Sequence, residues 1–200
     1  MIKSLDLGQR FFPVLLSNFT DRFKTFIMNW TLDKLHSEVG FKVKHMMITN
    51  VTGSFGDFDA QAQADENNFM GGNFEFSALI DSISTGVADR DAHLKSDDFF
   101  NAETYPTLAF KANGVTKTGD ETFTLRGEMT IRDITKIVEL SVEHSGTVVD
   151  PYGQLKAGMS ISGRIKRSDF GLKWNAITEA GSIVVSDEIK LSAELQFIKS

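Results

Sequence analysis

Most of the chain alternates apolar and polar residues with a period of two, and this pattern limits the fold more than any other feature. In residues 183–197 every odd position except Asp187 is apolar, while the even positions are predominantly polar. A strand with one apolar and one solvated face is typical of antiparallel sheet. The same alternation occurs in residues 37–45, 74–80, 108–112, 123–131, 138–144 and 157–165.

A further strand around residues 51–64 brings the number of predicted strands to eight. Turn-forming sequences separate several of them, among them KTGDE, RDIT and DPYGQ. Long strands with one apolar face must curl and close, because an open sheet would leave unpaired edges. Eight strands make a barrel just wide enough to be filled by side chains or to hold one ligand. The sequence therefore predicts an all-β fold, an eight-stranded antiparallel β-barrel.

The N-terminal segment lacks this period. Leu15, Phe19, Phe23 and Phe26 fall near helical spacing, which predicts a short amphipathic helix over residues 13–28. We expect this helix to pack on the barrel, with a membrane-surface anchor as the alternative. The chain is accordingly divided into an N-terminal helical extension, residues 1–29, and a barrel domain, residues 30–200.

The apolar run FFPVLLSNF, residues 11–19, makes a poor export signal. Pro13 interrupts it, and no small-residue cleavage site lies nearby. The prediction is a cytoplasmic protein, with the periplasm as the alternative if the N-terminus is an atypical export signal.

Composition and motifs argue against several functional classes. The net charge is −6 and the 21 Lys and Arg residues are scattered, which argues against a nucleic-acid partner. The absence of cysteine excludes disulfides, thiol catalysis and thiolate metal sites. The sequence also lacks GxGxxG, P-loop, GxSxG and HExxH motifs. We therefore expect no metal and no cofactor other than a bound lipid.

Phenylalanine is unusually frequent, with 17 residues against 2 Tyr and 2 Trp. Phe has no polar atom, so this excess indicates a large dry interior. Composition leaves open whether that interior is a Phe-rich core or an apolar cavity. His45 and His144 lie on the apolar faces of their strands. Each is either a core histidine with one hydrogen-bond partner or a polar group that fixes a ligand head.

The connection GVADRDAHLKSDDFF, residues 86–100, combines charged residues with large rings. One interpretation is a structural lid over an end of the barrel, in which Asp89 caps a helical turn and Arg90 pairs with Asp91 or a strand-end carboxylate. Leu94 and two phenylalanines would then plug the barrel. The other interpretation is a catalytic or head-group site. The lid interpretation is preferred, and its predicted residues are Asp89, Arg90, Asp91, His93, Phe99 and Phe100.

Several motifs together resemble the YceI-like family. They are WTLDKLHSEVGFKVKH (30–45), GSFGDFDA (53–60), SISTGVADRDAHLKSDDFFNAETYPTLAF (82–110), GEMTIRDITK (127–136) and RSDFGL (167–172). The resemblance implies an extended, lipocalin-like eight-stranded barrel with a long hydrophobic pocket that binds polyisoprenoids or similar long-chain amphiphiles. It implies no enzymatic activity.

The preferred function is binding of a long-chain amphiphilic lipid, such as a polyisoprenoid, an isoprenoid quinone or a fatty-acid derivative, for transport, storage or sequestration. The alternative is an enzyme that acts on such a lipid with Asp89, Asp91, His93 or His45 as acid and base. Transient membrane contact and a homodimer are both left open. The predicted ligand-binding residues are Phe41, Val43, His45, Phe74, Phe76, Phe110, Leu125, Met129, Met159, Ile161 and Trp174.

Overall fold

The computed structural model describes residues 28–64, 72–175 and 184–200. The described residues form twelve β-strand segments and one α-helix, α1 (Ala88–Lys95). Short 3-10 helices lie at Lys34–His36, Ile80–Ser82 and Arg167–Phe170. The strands are β1 (Met28–Leu32), β2 (Glu38–His45), β3 (Thr49–Phe55), β4 (Phe58–Ala64), β5 (Asn73–Leu79), β6 (Ile83–Ser84), β7 (Thr107–Asn113), β8 (Thr116–Lys117), β9 (Thr122–Ile131), β10 (Ile134–Val149), β11 (Leu155–Lys166) and β12 (Val185–Lys199).

The strands close into an antiparallel barrel. The hydrogen-bonded ring runs β1-β4-β5-β7-β9-β10-β11-β12, and β12 pairs back to β1. The other short segments continue these strands: β2 extends β1 along β12, and β3 extends β4 along β2. Counted this way, the barrel has the eight strands that the period-two pattern predicts, and the predicted fold class is confirmed.

The alternation along each strand determines which side chains face inward. In β4 the burial pattern alternates strictly between buried and exposed residues. In β7 the side chain of Phe110 is 4% exposed, while its neighbour Lys111 lies on the outer face. The core therefore runs along the barrel axis, where the inward rows of all strands meet.

The predicted boundary between the extension and the barrel is displaced by two residues. Strand β1 begins at Met28 rather than at residue 30, so Met28 and Asn29 belong to the barrel. Met28 was also predicted to end the N-terminal helix, but it pairs with Ala64 of β4. The remainder of the predicted extension, residues 1–27, lies outside the described residues. Among the helices of the described residues, none is long and apolar enough to span a membrane.

Candidate functional site

The barrel encloses a cavity of about 210 Å³ with an almost entirely apolar wall. An engineered cavity of about 150 Å³ with a similar wall stays dry and binds benzene. Nine of the eleven predicted ligand-binding side chains lie on this wall. They occupy the positions of their strands whose side chains point into the barrel. They are Phe41, Val43, Phe74, Phe76, Phe110, Leu125, Met129, Met159 and Ile161.

His45 and Trp174 are not on the cavity wall, and their predicted placement is corrected. His45 is the last residue of β2, where the register with β12 shifts between Val185 and Ile189, so its side chain lies at the rim. Trp174 follows the 3-10 helix after β11. Its ring centroid lies 4.8 Å from that of His93 and 5.2 Å from that of Phe99. Trp174 therefore packs against the residues that cover the barrel end.

Sequence reasoning missed a large part of the wall. The alternation would have identified the missed apolar side chains of β12, because Asp187 is the only polar odd position between Val185 and Phe197. It would also have placed Arg167 inward, since the inward residues of β11 are odd-numbered up to Ile165. The missed wall residues include Val39, Phe123, Arg167, Leu172, Ile189, Leu191, Leu195 and Phe197.

Two glycines make room for the rings that line the cavity. Gly53 is paired with Phe41 across β2 and β3, and a Cβ at Gly53 would overlap the Phe41 ring. A Cβ at Gly127 would lie 2.6 Å from Cζ of Phe110. Close packing of rings against bare backbone explains why these strand positions carry glycine.

His144 is a polar group of the cavity wall at the end of the barrel away from α1. It pairs with Met159 of β11, and its backbone N–H donates to the Glu121 carbonyl, 2.9 Å away. Burial lowers the pKa of His144, and the charge of Glu121 opposes this shift only in part. Its imidazole is therefore held toward the neutral form, which suits a dry cavity.

Arg167 is a charged group of the same wall, at the opposite end. It is only 6% exposed, and burial lowers its pKa while the charge of Asp187 raises it. Its guanidinium donates four hydrogen bonds to backbone carbonyls: those of Ser186 (3.0 Å), Leu172 (2.6 Å), Trp174 (2.7 Å) and Val185 (3.3 Å). A guanidinium has five N–H donors, so one remains uncommitted to these carbonyls.

Residues 86–104, which we call the lid, cover the Arg167 end of the barrel. Leu94, Phe99 and Phe100 project from the lid onto the cavity wall. Arg132, in the turn between β9 and β10, binds the backbone of the lid: its Nη1 donates to the Phe99 carbonyl at 3.1 Å. The structure therefore has the apolar plug that the lid interpretation requires.

Arg90 and Asp91 of the lid both bind Thr85 rather than each other. Asp91 Oδ1 accepts hydrogen bonds from the Thr85 N–H at 2.8 Å and from Thr85 Oγ1 at 2.5 Å. Arg90 donates through Nε to Thr85 Oγ1 at 2.7 Å and through Nη2 to the Thr85 carbonyl at 3.0 Å. Arg90 and Asp91 therefore do not pair with each other as predicted. Both bind Thr85, which precedes α1 in the chain.

Asp89 does not cap the helix, so this prediction was wrong. Helix α1 begins at Ala88 with Val87 at the N-cap, and no side chain caps it. Asp89 lies one residue later, in the first turn, where a carboxylate is favoured by the helix dipole. The reason is that the N-cap, where the chain is still extended, is Val87, two residues before Asp89.

The lid geometry offers little for acid–base chemistry. The hydrogen bonds from Thr85 lower the pKa of Asp91, although burial opposes them, so this carboxylate stays ionised. His93 Nε2 lies 3.0 Å from Asp98 Oδ2, and the His93 ring packs edge-on against Phe99 at 5.1 Å. Within residues 28–64, 72–175 and 184–200, no cluster of three metal-ligating side chains occurs. The arrangement can hold an apolar chain and cover it.

Comparison with known proteins agrees with this geometry. Residues 30–197 match the model of the YceI-like domain. A UPF0312 protein of Staphylococcus aureus strain N315 is 32% identical over 170 residues, which is 84% of this chain and 96% of the relative.

Solved structures show the same architecture. The YCEI protein of Campylobacter jejuni is 35% identical, with a TM-score of 0.68 over 85% of this chain and 97% of that one. A polyisoprenoid binding domain from Saccharophagus degradans shares the fold at 16% identity, with a TM-score of 0.61 over 86% of this chain and 99% of that one.

Proposed function

The chain belongs to the YceI-like domain family, and from that premise we propose that it binds one long-chain amphiphilic lipid inside the barrel. The ligand class is a polyisoprenoid, an isoprenoid quinone or a fatty-acid derivative, and the role is transport, storage or sequestration. The observation that carries the proposal is the cavity itself, which is walled by apolar side chains and plugged by Leu94, Phe99 and Phe100. The polyisoprenoid binding domain of Saccharophagus degradans, which has the same fold, supports it.

The affinity comes from the apolar chain of the ligand. Each buried CH₂ contributes about 0.8 kcal/mol, so a twenty-carbon tail offers on the order of 15 kcal/mol before the costs of ordering and association. Met129 and Met159 on the cavity wall can adapt to the shape of such a tail, because methionine is unbranched and flexible.

The length of the cavity also suits an extended chain. His144 is level with Met159 on β11, and Arg167 lies eight residues farther along the same segment. At about 3.3 Å per residue and a strand tilt of about 40°, these two polar groups are roughly 20 Å apart along the barrel axis. A chain with a polar head at one end and its tail along the axis matches this spacing. Arg167, with its remaining N–H, is the proposed partner of a carbonyl, hydroxyl or acidic head.

Ligand content tests the proposal directly. Protein purified from a bacterial host is extracted with organic solvent and the extract is analysed by mass spectrometry. We expect a long-chain lipid in stoichiometric amount, recovered unchanged after incubation. No copurifying lipid, together with no uptake of a prenyl quinone or prenyl alcohol, contradicts the proposal. Recovery of a chemically altered lipid, dependent on His93, would support the enzyme alternative instead.

Neighbouring positions of β11 provide a matched pair of variants. Ile161 lies on the cavity wall, whereas Ser162 lies on the outer face. Ile161→Trp fills the cavity and should lower the amount of bound lipid severalfold. Ser162→Trp adds the same ring outside and should leave the bound amount unchanged.

A further inference from the structure

Residues 46–48, which we call the rim loop, join β2 to β3 and expose three large apolar side chains in succession. The exposed fractions are 42% for Met46, 53% for Met47 and 78% for Ile48. The loop lies at the mouth of the cavity at the lid end: the Met46 N–H donates to the Val184 carbonyl at 2.7 Å, and the next residue, Val185, lies on the cavity wall. An exposed apolar surface therefore continues the apolar surface inside the barrel.

The backbone of the rim loop does not favour the residues it carries. Met46 and Met47 have φ values of 50° and 60°, and the Ile48 N–H donates to the His45 carbonyl at 3.2 Å. Two successive positive φ values are typical of type I′ turns, where Asn-Gly is strongly preferred because Gly adopts positive φ without steric cost. Two methionines in this conformation store strain and expose apolar surface. Turn stability does not explain them, and strain of this kind often marks a functional surface.

Uncompensated lysines lie beside the rim loop on the outer wall. Lys190 of β12 is paired in register with Lys42 of β2 on one side and with Arg164 of β11 on the other. Like charges directly opposite each other destabilise a sheet. Glu188 neutralises Arg164 at 3.0 Å, but within the described parts of the chain no carboxylate lies within 4.0 Å of Lys42, Lys44 or Lys190. In a chain of net charge −6, this is a local concentration of positive charge.

We propose that the rim loop and Lys42, Lys44 and Lys190 dock the barrel on an anionic lipid bilayer, with which the cavity exchanges its ligand. The exchange step rests on the proposed function, whereas the docking stands on the loop and the lysines. Lys44 lies two residues from Met46, about 7 Å along the strand. The headgroup layer on each side of the hydrocarbon core is about 5–7 Å thick. Insertion of Met46, Met47 and Ile48 into the hydrocarbon edge thus brings Lys44 to the level of the phosphates.

Co-sedimentation of the full chain with vesicles tests the docking. The vesicles contain phosphatidylcholine alone or phosphatidylcholine mixed with phosphatidylglycerol. The double variant Met46→Asn, Met47→Gly should lower the affinity for the mixed vesicles at least tenfold, since two large apolar side chains no longer insert. The same variant should raise the Tm, because Asn-Gly relieves the positive-φ strain. Loss of binding with a gain of stability separates docking from a folding defect.

Separate variants test the contribution of the lysines to vesicle binding. Lys44→Gln should weaken binding to the mixed vesicles by about fivefold or more and leave binding to phosphatidylcholine unchanged. Lys42→Gln with Lys190→Gln, which lie farther from the phosphates, should weaken it by a smaller factor. Val148→Ser with Val149→Ser, at an exposed apolar pair on β10 at the opposite end, is the control and should bind as the wild type does.

Several outcomes overturn the docking proposal. They are unchanged vesicle binding in the Asn-Gly variant, an equal loss in the Val148/Val149 control, and a change of oligomeric mass in place of a change in vesicle affinity. Uptake of a prenyl quinone from solution, without vesicles, is measured in parallel. Absent uptake by the wild type contradicts the proposed function, whereas normal uptake with unchanged vesicle binding in the Asn-Gly variant contradicts only the docking.

Discussion

Phe110 and Lys111 are neighbours in β7 that face opposite sides of the barrel wall. Phe110 is 4% exposed on the cavity wall, and Lys111 Nζ pairs with Glu75 Oε1 at 3.2 Å on the surface. Phe110→Asp should lower the free energy of unfolding by about 3–5 kcal/mol, because a carboxylate has no partner among apolar side chains. Lys111→Asp removes an exposed ion pair and should cost less than about 1 kcal/mol. Urea unfolding measures both, and a loss for Lys111→Asp as large as that for Phe110→Asp would contradict the assignment of these two side chains to opposite faces.

The pKa of His144 predicts a dependence of stability on pH. Burial holds the pKa of His144 below its usual value near 6.5 in the folded state. As the pH falls below 6.5 the unfolded chain binds a proton before the folded protein does. The contribution of neutral His144 to stability is therefore complete above pH 6.5 and declines as the pH falls toward the folded-state pKa.

His144→Gln removes this proton linkage. The stability difference between wild type and variant, from urea midpoints at pH 7.5 and pH 5.5, should shift in favour of the variant at the lower pH. A difference that is independent of pH would contradict the assignment of His144 to a dehydrated site.

The alternation of inward and outward side chains along each strand determined most of the predictions of which residues line the cavity. It placed Phe41, Phe76 and Met159 on the wall, because successive side chains in a strand must face opposite sides. It failed for His45, where the strand ends and the register with β12 shifts. It could not place Trp174, which lies outside the strands and is positioned by hydrogen bonding of its carbonyl to Arg167. The Trp174 ring also packs on His93 and Phe99, which are distant in sequence and which no local pattern relates to it.

At the scale of elements, the lid depends on the junction between Thr85 and α1. Thr85 Oγ1 donates to Asp91 and accepts from Arg90, so Thr85→Val breaks two hydrogen bonds in a half-buried site. The expected loss is about 1–2 kcal/mol, or a Tm lower by roughly 3–6 °C. Arg90→Ala and Asp91→Asn should act in the same direction, and His93→Ala should be mild. In each variant the bound lipid should be retained.

Calorimetry with lipid quantification by mass spectrometry distinguishes the two interpretations of the lid. If one of these variants leaves the Tm unchanged yet abolishes lipid binding, the affected residue contacts the ligand and the lid is not purely structural.

The sequence predicted the long strands, but its strand over residues 37–45 omits β1, which a break separates from β2. The break is held by Asp33, whose Oδ2 accepts hydrogen bonds from Lys156 (3.1 Å), Gln196 (2.9 Å) and His36 (3.0 Å). Burial alone would raise the pKa of Asp33, but these hydrogen bonds lower it. Lys156 and Gln196 are more than a hundred residues away in sequence. No local pattern contains this network, so the break could not be anticipated.

At the scale of the whole molecule, closure of the barrel was predictable because it follows from strand number and alternation. Eight one-faced strands have few ways to bury their apolar sides other than a closed ring. The size of the cavity was not predictable, since it depends on how rings such as Phe41 and Phe110 pack against Gly53 and Gly127. This packing therefore decides whether the interior is a filled core or a cavity, a question that the composition leaves open.

The ring closes through β1, and this makes the boundary of the barrel testable by truncation. Strand β1 pairs with both β4 and β12, and Trp30 within it is fully buried, with Nε1 donating to the Ala64 carbonyl at 3.3 Å. Removal of residues 1–27 should leave a folded barrel, because every pairing of β1 remains. Removal of residues 1–32 should abolish folding, because it deletes Trp30 and leaves edges of β4 and β12 unpaired.

Far-UV circular dichroism and size-exclusion chromatography of the two truncated proteins measure the effect. We expect a monodisperse β-rich protein that unfolds cooperatively after the shorter truncation, and aggregated protein after the longer one. If the shorter truncation also aggregates, residues 1–27 complete the core and are not an appendage. If the longer truncation still folds, the ring can close without β1, and the pairing of β1 with both neighbours is not what holds the barrel shut.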